Sequence, residues 1–142
     1  MKYYIATDHA GFAIKESVKE IVRNLGHEVE DLGPDSADRV DYPDFAHKLA
    51  RAVLADPGSF GILICGTGIG MSLAANKHEG IRAALCHDAY TAEMARAHND
   101  ANVLCFGERV VGIGVAESIL KAWDATSFEG GRHSQRVAKI EL

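Results

Sequence analysis

Five short β-rich runs separated by stretches of helical period constrain this 142-residue chain more than any other feature. The runs are Tyr3 to Thr7, His27 to Asp31, Gly61 to Cys65, Arg82 to Cys86 and Val103 to Phe106, with apolar content suited to strands covered on both faces. Between the first two, Phe12, Ile14, Val18, Ile21, Val22 and Leu25 recur at helical spacing, and Gly26 supplies a left-handed stop. A second helix is expected from near Pro43, through Phe45, Leu49, Val53 and Leu54, to the breaker Asp56-Pro57-Gly58. Further helices are predicted over Gly70 to Lys77, Tyr90 to His98 and Val111 to Ala125, with a Gly130-Gly131 hinge before a C-terminal segment carrying Arg132 and Arg136. Strands alternating with helices at this spacing build βαβ units, so the expected fold is α/β, three layers around a five-stranded parallel sheet.

Size and charge narrow the function classes. A chain of this mass buries roughly two-thirds of its surface on folding, and its 47% apolar and 25% charged residues are ordinary for a globular protein, so residues 1–142 are expected to form one domain. Fifteen Lys and Arg against 20 Asp and Glu leave a net charge of −5, which disfavours a phosphate-backbone footprint and hence a nucleic-acid partner. The start of the chain has too short an apolar run for a signal peptide, and the Phe60 to Ala75 stretch is too broken by glycine to span a bilayer. No membrane association and a cytoplasmic location are therefore expected. Cys65, Cys86 and Cys105 form an odd set without CxxC spacing, which points away from disulfides and thiolate zinc.

Ligands of open parallel sheets sit beyond the carboxyl ends of the strands. The chemically interesting residues follow strands here: Asp8-His9 the first, Cys65 and its glycines the third, His87-Asp88 the fourth, and Gly107-Glu108-Arg109 the fifth. Gly66-Thr67-Gly68-Ile69-Gly70 can turn backbone N–H groups towards an anion or a developing oxyanion, or can simply be a tight turn needing positive φ. A dinucleotide fingerprint fits poorly because the third glycine comes too early. A P-loop lacks its Gly-Lys-Ser/Thr triplet, and a phosphatase-type cysteine loop would want an arginine where Met71 stands. Cys65, ending a strand before a helix, is placed to be a reactive thiol at the positive end of the helix dipole or simply a small buried apolar residue, and Cys86 and Cys105 read as the latter. His98 closes a helix and Asp8 precedes one, so each also reads as a cap. Arg132 and Arg136, four apart on one helical face, suit a phosphate or a solvated tail, and Arg109 can join them. His27, His47, His78 and His87 have no metal-ligand spacing.

Taken together, Asp8-His9-Ala10-Gly11-Phe12, Asp41-Tyr42-Pro43, Ile64 to Gly70, Ala74-Ala75-Asn76-Lys77, His98 to Leu104 and Gly130-Gly131-Arg132-His133 closely resemble the ribose-5-phosphate isomerase B family, which also holds allose-6-phosphate and galactose-6-phosphate isomerases. The match spans nearly the whole chain. The resemblance implies a Rossmann-like or flavodoxin-like domain, usually a homodimer or higher homo-oligomer, that interconverts ribose 5-phosphate and ribulose 5-phosphate without metal or other cofactor. It assigns Cys65 as the base and His98 as the acid/base of ring opening, and the chemistry of an enediolate adds Thr67 as a candidate hydroxyl donor. Asp8, His9, Gly66, Gly68, Ile69, Gly70 and Asn99 then contact the sugar, and Arg109, Arg132 and Arg136 its phosphate. Family sites are shared across a dimer interface. Some members lack the cysteine and use a glutamate at the place of Met71, which cannot act as a base here. The rival of another class is a non-catalytic sugar-phosphate or nucleotide-binding module on the same fold.

Overall fold

A computed structural model describes residues 1–142. Strands β1 (Lys2–Thr7), β2 (Glu28–Asp31), β3 (Phe60–Cys65), β4 (Ala83–Leu85) and β5 (Val103–Gly107) form one parallel sheet in the order β2-β1-β3-β5-β4. The crossovers are helices α1 (Phe12–Asn24), α2 (Tyr42–Ala55), α3 (Ile69–Ala75) and α4 (Ala89–Asn99), followed by α5 (Ile113–Ala125) and a short α6 (Arg132–Ala138). A 3-10 turn at His9–Gly11 leads into α1.

The period-2 alternation of the inner strands divides the core into two. Tyr3, Ile5, Ile62, Ile64, Leu104 and Phe106 face one side, where Val18 and Val22 of α1, Ala92 and Ala95 of α4 and Ile119, Leu120 and Trp123 of α5 close over them. Tyr4, Ala6, Leu63, Cys65, Val103 and Cys105 face the other, under Leu49 and Val53 of α2 and Met71 and Ala75 of α3. Strands β1, β3 and β5 are thus covered on both faces, as their sequences suggest. The edge strands depart from that expectation: β2 alternates exposed and half-buried residues, and all three residues of β4 are half-buried.

The helix boundaries differ locally for identifiable reasons. Helix α3 stops at Ala75 because the Asn76 side chain turns to the backbone of Ala83, accepting from its N–H at 2.8 Å and donating to its carbonyl at 2.9 Å. Helix α5 begins at Ile113 because Val110 and Val111 both donate to the Gly107 carbonyl in a turn. Gly26, at φ 94°, ends α1 as expected.

The chain leaves β1 towards β2 on one side and returns to β3 on the other, so the topological switch point lies between the carboxyl ends of β1 and β3. An ion cluster pins this region from behind. Asp31, ending β2, accepts from Lys15 Nζ at 3.1 Å and Lys19 Nζ at 3.0 Å, both on α1, and from the Gly33 N–H at 2.8 Å. Burial raises the Asp31 pKa, but the Gly33 amide and the two ammonium groups outweigh it and hold the carboxyl below its ordinary value. A depressed carboxylate contributes stability above its unfolded pKa of about 3.9 and loses it as pH falls through the folded value. Replacing the buried Lys15 by methionine should therefore cost about 1–3 kcal/mol at pH 7, and the gap from the wild type should narrow below about pH 4 in denaturant titrations. A gap independent of pH would place the Lys15 effect in packing rather than in this pair.

Candidate active site

Cys65 is the last residue of β3, and the chain must turn at once to start α3. Gly68 makes that turn at φ 82°, and its N–H donates to the Cys65 sulfur at 3.1 Å. A Cβ on Gly68 would stand 2.7 Å from the Phe106 backbone, so space and conformation both require glycine. The neighbouring strand is fastened to the same turn: Glu108 N–H donates to the Cys65 carbonyl at 2.9 Å and Arg109 N–H to the Gly66 carbonyl at 3.1 Å. These bonds lay the exposed Arg109 side chain against Gly66. Thr67 is exposed, and its hydroxyl oxygen accepts from the Ile69 N–H at 3.2 Å, which leaves the hydroxyl proton free to donate. Gly70 faces the ring of Tyr42 at the start of α2, where a Cβ would collide with the ring.

The end of β1 approaches from the other side. Gly11 packs so closely on the Ile64 carbonyl that a Cβ would overlap it, and Asp8 N–H donates to the same oxygen at 3.2 Å. Asp8 Oδ1 accepts from the Ala10 and Gly11 amides at 2.9 and 3.1 Å, so the cap reading of this residue holds. His9 Nδ1 accepts from the Val40 N–H at 3.3 Å, which puts the proton of the neutral ring on Nε2. Asp8, His9, Cys65, Gly66, Thr67, Gly68, Ile69, Gly70 and Arg109 therefore cluster at the carboxyl edge of the sheet.

His98, Asn99, Arg132 and Arg136 lie elsewhere. Helix α4 runs back to the amino edge, so His98 and Asn99 precede β5, whose Val103 registers with Gly61, while Cys65 registers with Gly107 at the far end. Four residues of strand put at least about 13 Å between the two groups in one chain. Asp100 ends α4 at φ 47°, the only residue other than glycine with positive φ, and is clamped by Arg96 at 3.1 Å and Arg82 at 3.3 Å. Helix α6 docks beside it: Glu129 N–H donates to the Ala97 carbonyl at 3.0 Å, and the rings of His98 and His133 stack at 4.3 Å. Asn99 and Asp100 each border a cavity, of about 360 and 470 Å³ respectively. Glu129 and His133 have no assigned role on sequence grounds; the one available signal is their four-residue spacing across Gly130-Gly131.

The remaining cysteines behave as core residues. Burial pushes the Cys86 thiol up to about 11 and the Cys105 thiol well above its ordinary value. His47 and His78 pair with each other at 2.7 Å, and His27 lies 2.7 Å from Asp124, in keeping with structural roles.

Residues 3–140 match the profile of the Ribose/Galactose Isomerase family. The chain belongs to this family. It is 48% identical to the ribose-5-phosphate isomerase B of Escherichia coli over 98% of this chain and 93% of that one. It is 42% identical to the D-erythrulose-4-phosphate isomerase of Pectobacterium atrosepticum over 96% and 90%. Among solved structures, the type B ribose 5-phosphate isomerase of Trypanosoma brucei superposes with a TM-score of 0.94 at 52% identity, covering 98% of this chain and 95% of that one. The α/β architecture expected from the strand pattern is thus the architecture of this isomerase family.

The contrast among the thiols is directly measurable. In the native protein a haloacetamide should modify Cys65 well ahead of Cys86 and Cys105, as read by peptide mass spectrometry. Comparable labelling of all three would mean that the turn at Gly68 gives Cys65 no special access.

Proposed function

We propose that this chain is a sugar-phosphate isomerase acting between ribose 5-phosphate and ribulose 5-phosphate, a step of the pentose phosphate pathway carried out in the cytoplasm by residues 1–142 as one domain. The observation that carries the reading is a thiol at the end of β3 held by the Gly68 N–H, inside a family of sugar isomerases. The pentose is favoured because the relatives at 48% and 52% identity bear that substrate in their names, whereas the four-carbon sugar belongs to one at 42%. No helix is long and apolar enough to cross a membrane, in keeping with a metabolic enzyme.

Isomerisation moves one proton between C2 and C1 of the open-chain sugar through an enediolate. Cys65, as thiolate, takes the proton from C2 of the aldose and returns it to C1, while the hydroxyl and carbonyl oxygens exchange their proton in compensation. Negative charge grows on those oxygens in the transition state, where the Thr67 hydroxyl and the amides of the Gly66 to Gly70 turn are donors, apart from those of Gly68 and Ile69, which already serve Cys65 and Thr67. His98 protonates the ring oxygen as the hemiacetal opens and accepts the proton of the anomeric hydroxyl. Asp8, His9 and Asn99 hold the sugar hydroxyls, and Arg109, Arg132 and Arg136 the phosphate.

This division of labour needs two copies of the chain. Cys65 and His98 lie at opposite edges of one sheet, too far apart to act on one five-carbon sugar, so the Cys65 edge of one protomer meets the His98 edge of its partner. A two-fold interface is self-complementary and creates two such sites per dimer.

Two experiments test the reading. Cys65→Ala should abolish turnover while leaving sugar-phosphate affinity within about tenfold, because the base acts on the transition state and the phosphate contacts on the ground state. Inactive Cys65→Ala and inactive His98→Asn protein, dissociated and reassociated in equal amounts, should regain about a quarter of wild-type activity, since half the dimers are mixed and each has one intact site. No recovery despite demonstrated subunit exchange would place each site within one chain.

A further inference from the structure

We propose that His98, Glu129 and His133 form a binding site for a borderline transition-metal ion, with Zn²⁺ as the type, and that its occupancy inhibits the enzyme. The inhibition rests on the role of His98 given above; the site itself rests on geometry alone. Three elements deliver the donors: His98 the last turn of α4, Glu129 the connection after α5, and His133 the first turn of α6. Their ligand atoms all lie within 4.8 Å of one another, with Glu129 Oε1 at 3.8 Å from His98 Nε2 and 3.5 Å from His133 Nε2. Both separations exceed a good hydrogen bond, so the three groups converge without satisfying one another.

Metal–ligand bonds of about 2.0–2.2 Å in a tetrahedral site put ligand atoms roughly 3.3–3.5 Å apart, near the two Glu129 separations of 3.5 and 3.8 Å, so that a set lying within 4.8 Å must draw in slightly around an ion. The rings of His98 and His133 lie only 13° from parallel, so one must tilt for both Nε2 lone pairs to aim at one ion. His133 is the buried partner, with 9% of its side chain exposed, against 38% for His98 and 56% for Glu129. The two exposed groups supply the adjustment, Glu129 standing next to Gly130 and Gly131 at positive φ. Two imidazoles and one carboxylate select zinc, nickel or copper over magnesium or calcium, and leave a coordination position open to solvent. The neighbouring cations Arg132 and Arg136 oppose a metal ion, which makes the site reversible rather than structural. An ion there occupies His98 Nε2 and removes that ring from proton transfer.

The test starts from Cys65→Ala protein, so that the thiol cannot ligate. Equilibrium dialysis should find one Zn²⁺ per chain at micromolar metal, and Co²⁺ should show the absorption of an N/O-ligated ion. Glu129→Gln and His133→Gln should each weaken binding at least tenfold, with circular dichroism confirming that both remain folded. In enzyme retaining Cys65, Zn²⁺ should inhibit turnover reversibly, EDTA should restore it, and Glu129→Gln should need at least tenfold more metal for the same inhibition. Binding unchanged within twofold in both variants, no binding at micromolar Zn²⁺, or binding without inhibition would overturn the proposal. The ring-opening role is judged separately, by whether His98→Asn impairs cyclic substrate more than the open-chain form.

Discussion

The close approach of two backbones, the turn after β3 and the end of β5, is the constraint on which the rest of the site depends. A Cβ on Gly107 would lie 2.5 Å from the Gly66 carbonyl and the Thr67 backbone, and one on Gly68 would lie 2.7 Å from Phe106. Only glycine at both positions lets the Glu108 and Arg109 amides reach the Cys65 and Gly66 carbonyls. That zipper fixes three things together: the sulfur under the Gly68 N–H, Arg109 against Gly66, and Glu108 over α1, where its carboxylate accepts from the Ile14 N–H at 2.7 Å. The last contact also satisfies one of the open donors at the start of α1, so the turn is braced by the helix it helps to begin.

Parallel topology imposes the second constraint. Each helix that follows a strand carries the chain from the carboxyl edge back to the amino edge, so residues closing a helix cannot join residues closing a strand within one sheet. His98 and Asn99 close α4; Cys65 closes β3. The amino edge is stiffened where they stand. Asp100 adopts the left-handed region at a cost of about 1 kcal/mol or more for a residue with a side chain. Its clamp by Arg82 and Arg96 offsets that strain, and the Arg96 guanidinium is itself held over the rings of Phe60 and Trp123 at 4.6 and 5.7 Å. The chain from Asp100 to Asn102 is therefore tied to its neighbours rather than a loose connection.

What the sequence reveals follows from whether the determinants are contiguous. The inner strands are legible because five or six adjacent residues carry an apolar run, and Cys65 with its glycines because a strand end, a turn and a helix start fall within six residues. The edge strands are less so: β4 is three residues long, and Arg82, read as part of a strand, spends its side chain on Asp100. The separation of Cys65 from His98 is implicit in the βαβ alternation, and the register of β3 with β5 gives its length. The meeting of His98 with Glu129 and His133 is not legible at all, since 30 residues and a whole helix lie between the first two and no local period connects them. Met71, directly after the glycines that follow Cys65, is packed wholly into the core.

The distribution of charge suits the proposed anionic ligand. A chain with net charge −5 has acidic partners to spare, yet the ion pairs formed by arginine involve only Arg82 and Arg96, both bound to Asp100. Arg109 at the carboxyl edge and Arg132 and Arg136 at the amino edge are exposed and carry no carboxylate. Exposed guanidinium groups cost little to leave hydrated, and they retain their full capacity for paired bonds to phosphate when an anion arrives. Each edge alone offers one or two such groups at the mouth of an open surface, where water screens them. In the proposed dimer, bringing the two edges together would exclude that water and set cations from both chains around one small volume, so the association proposed to unite Cys65 with His98 would also strengthen the hold on a phosphate.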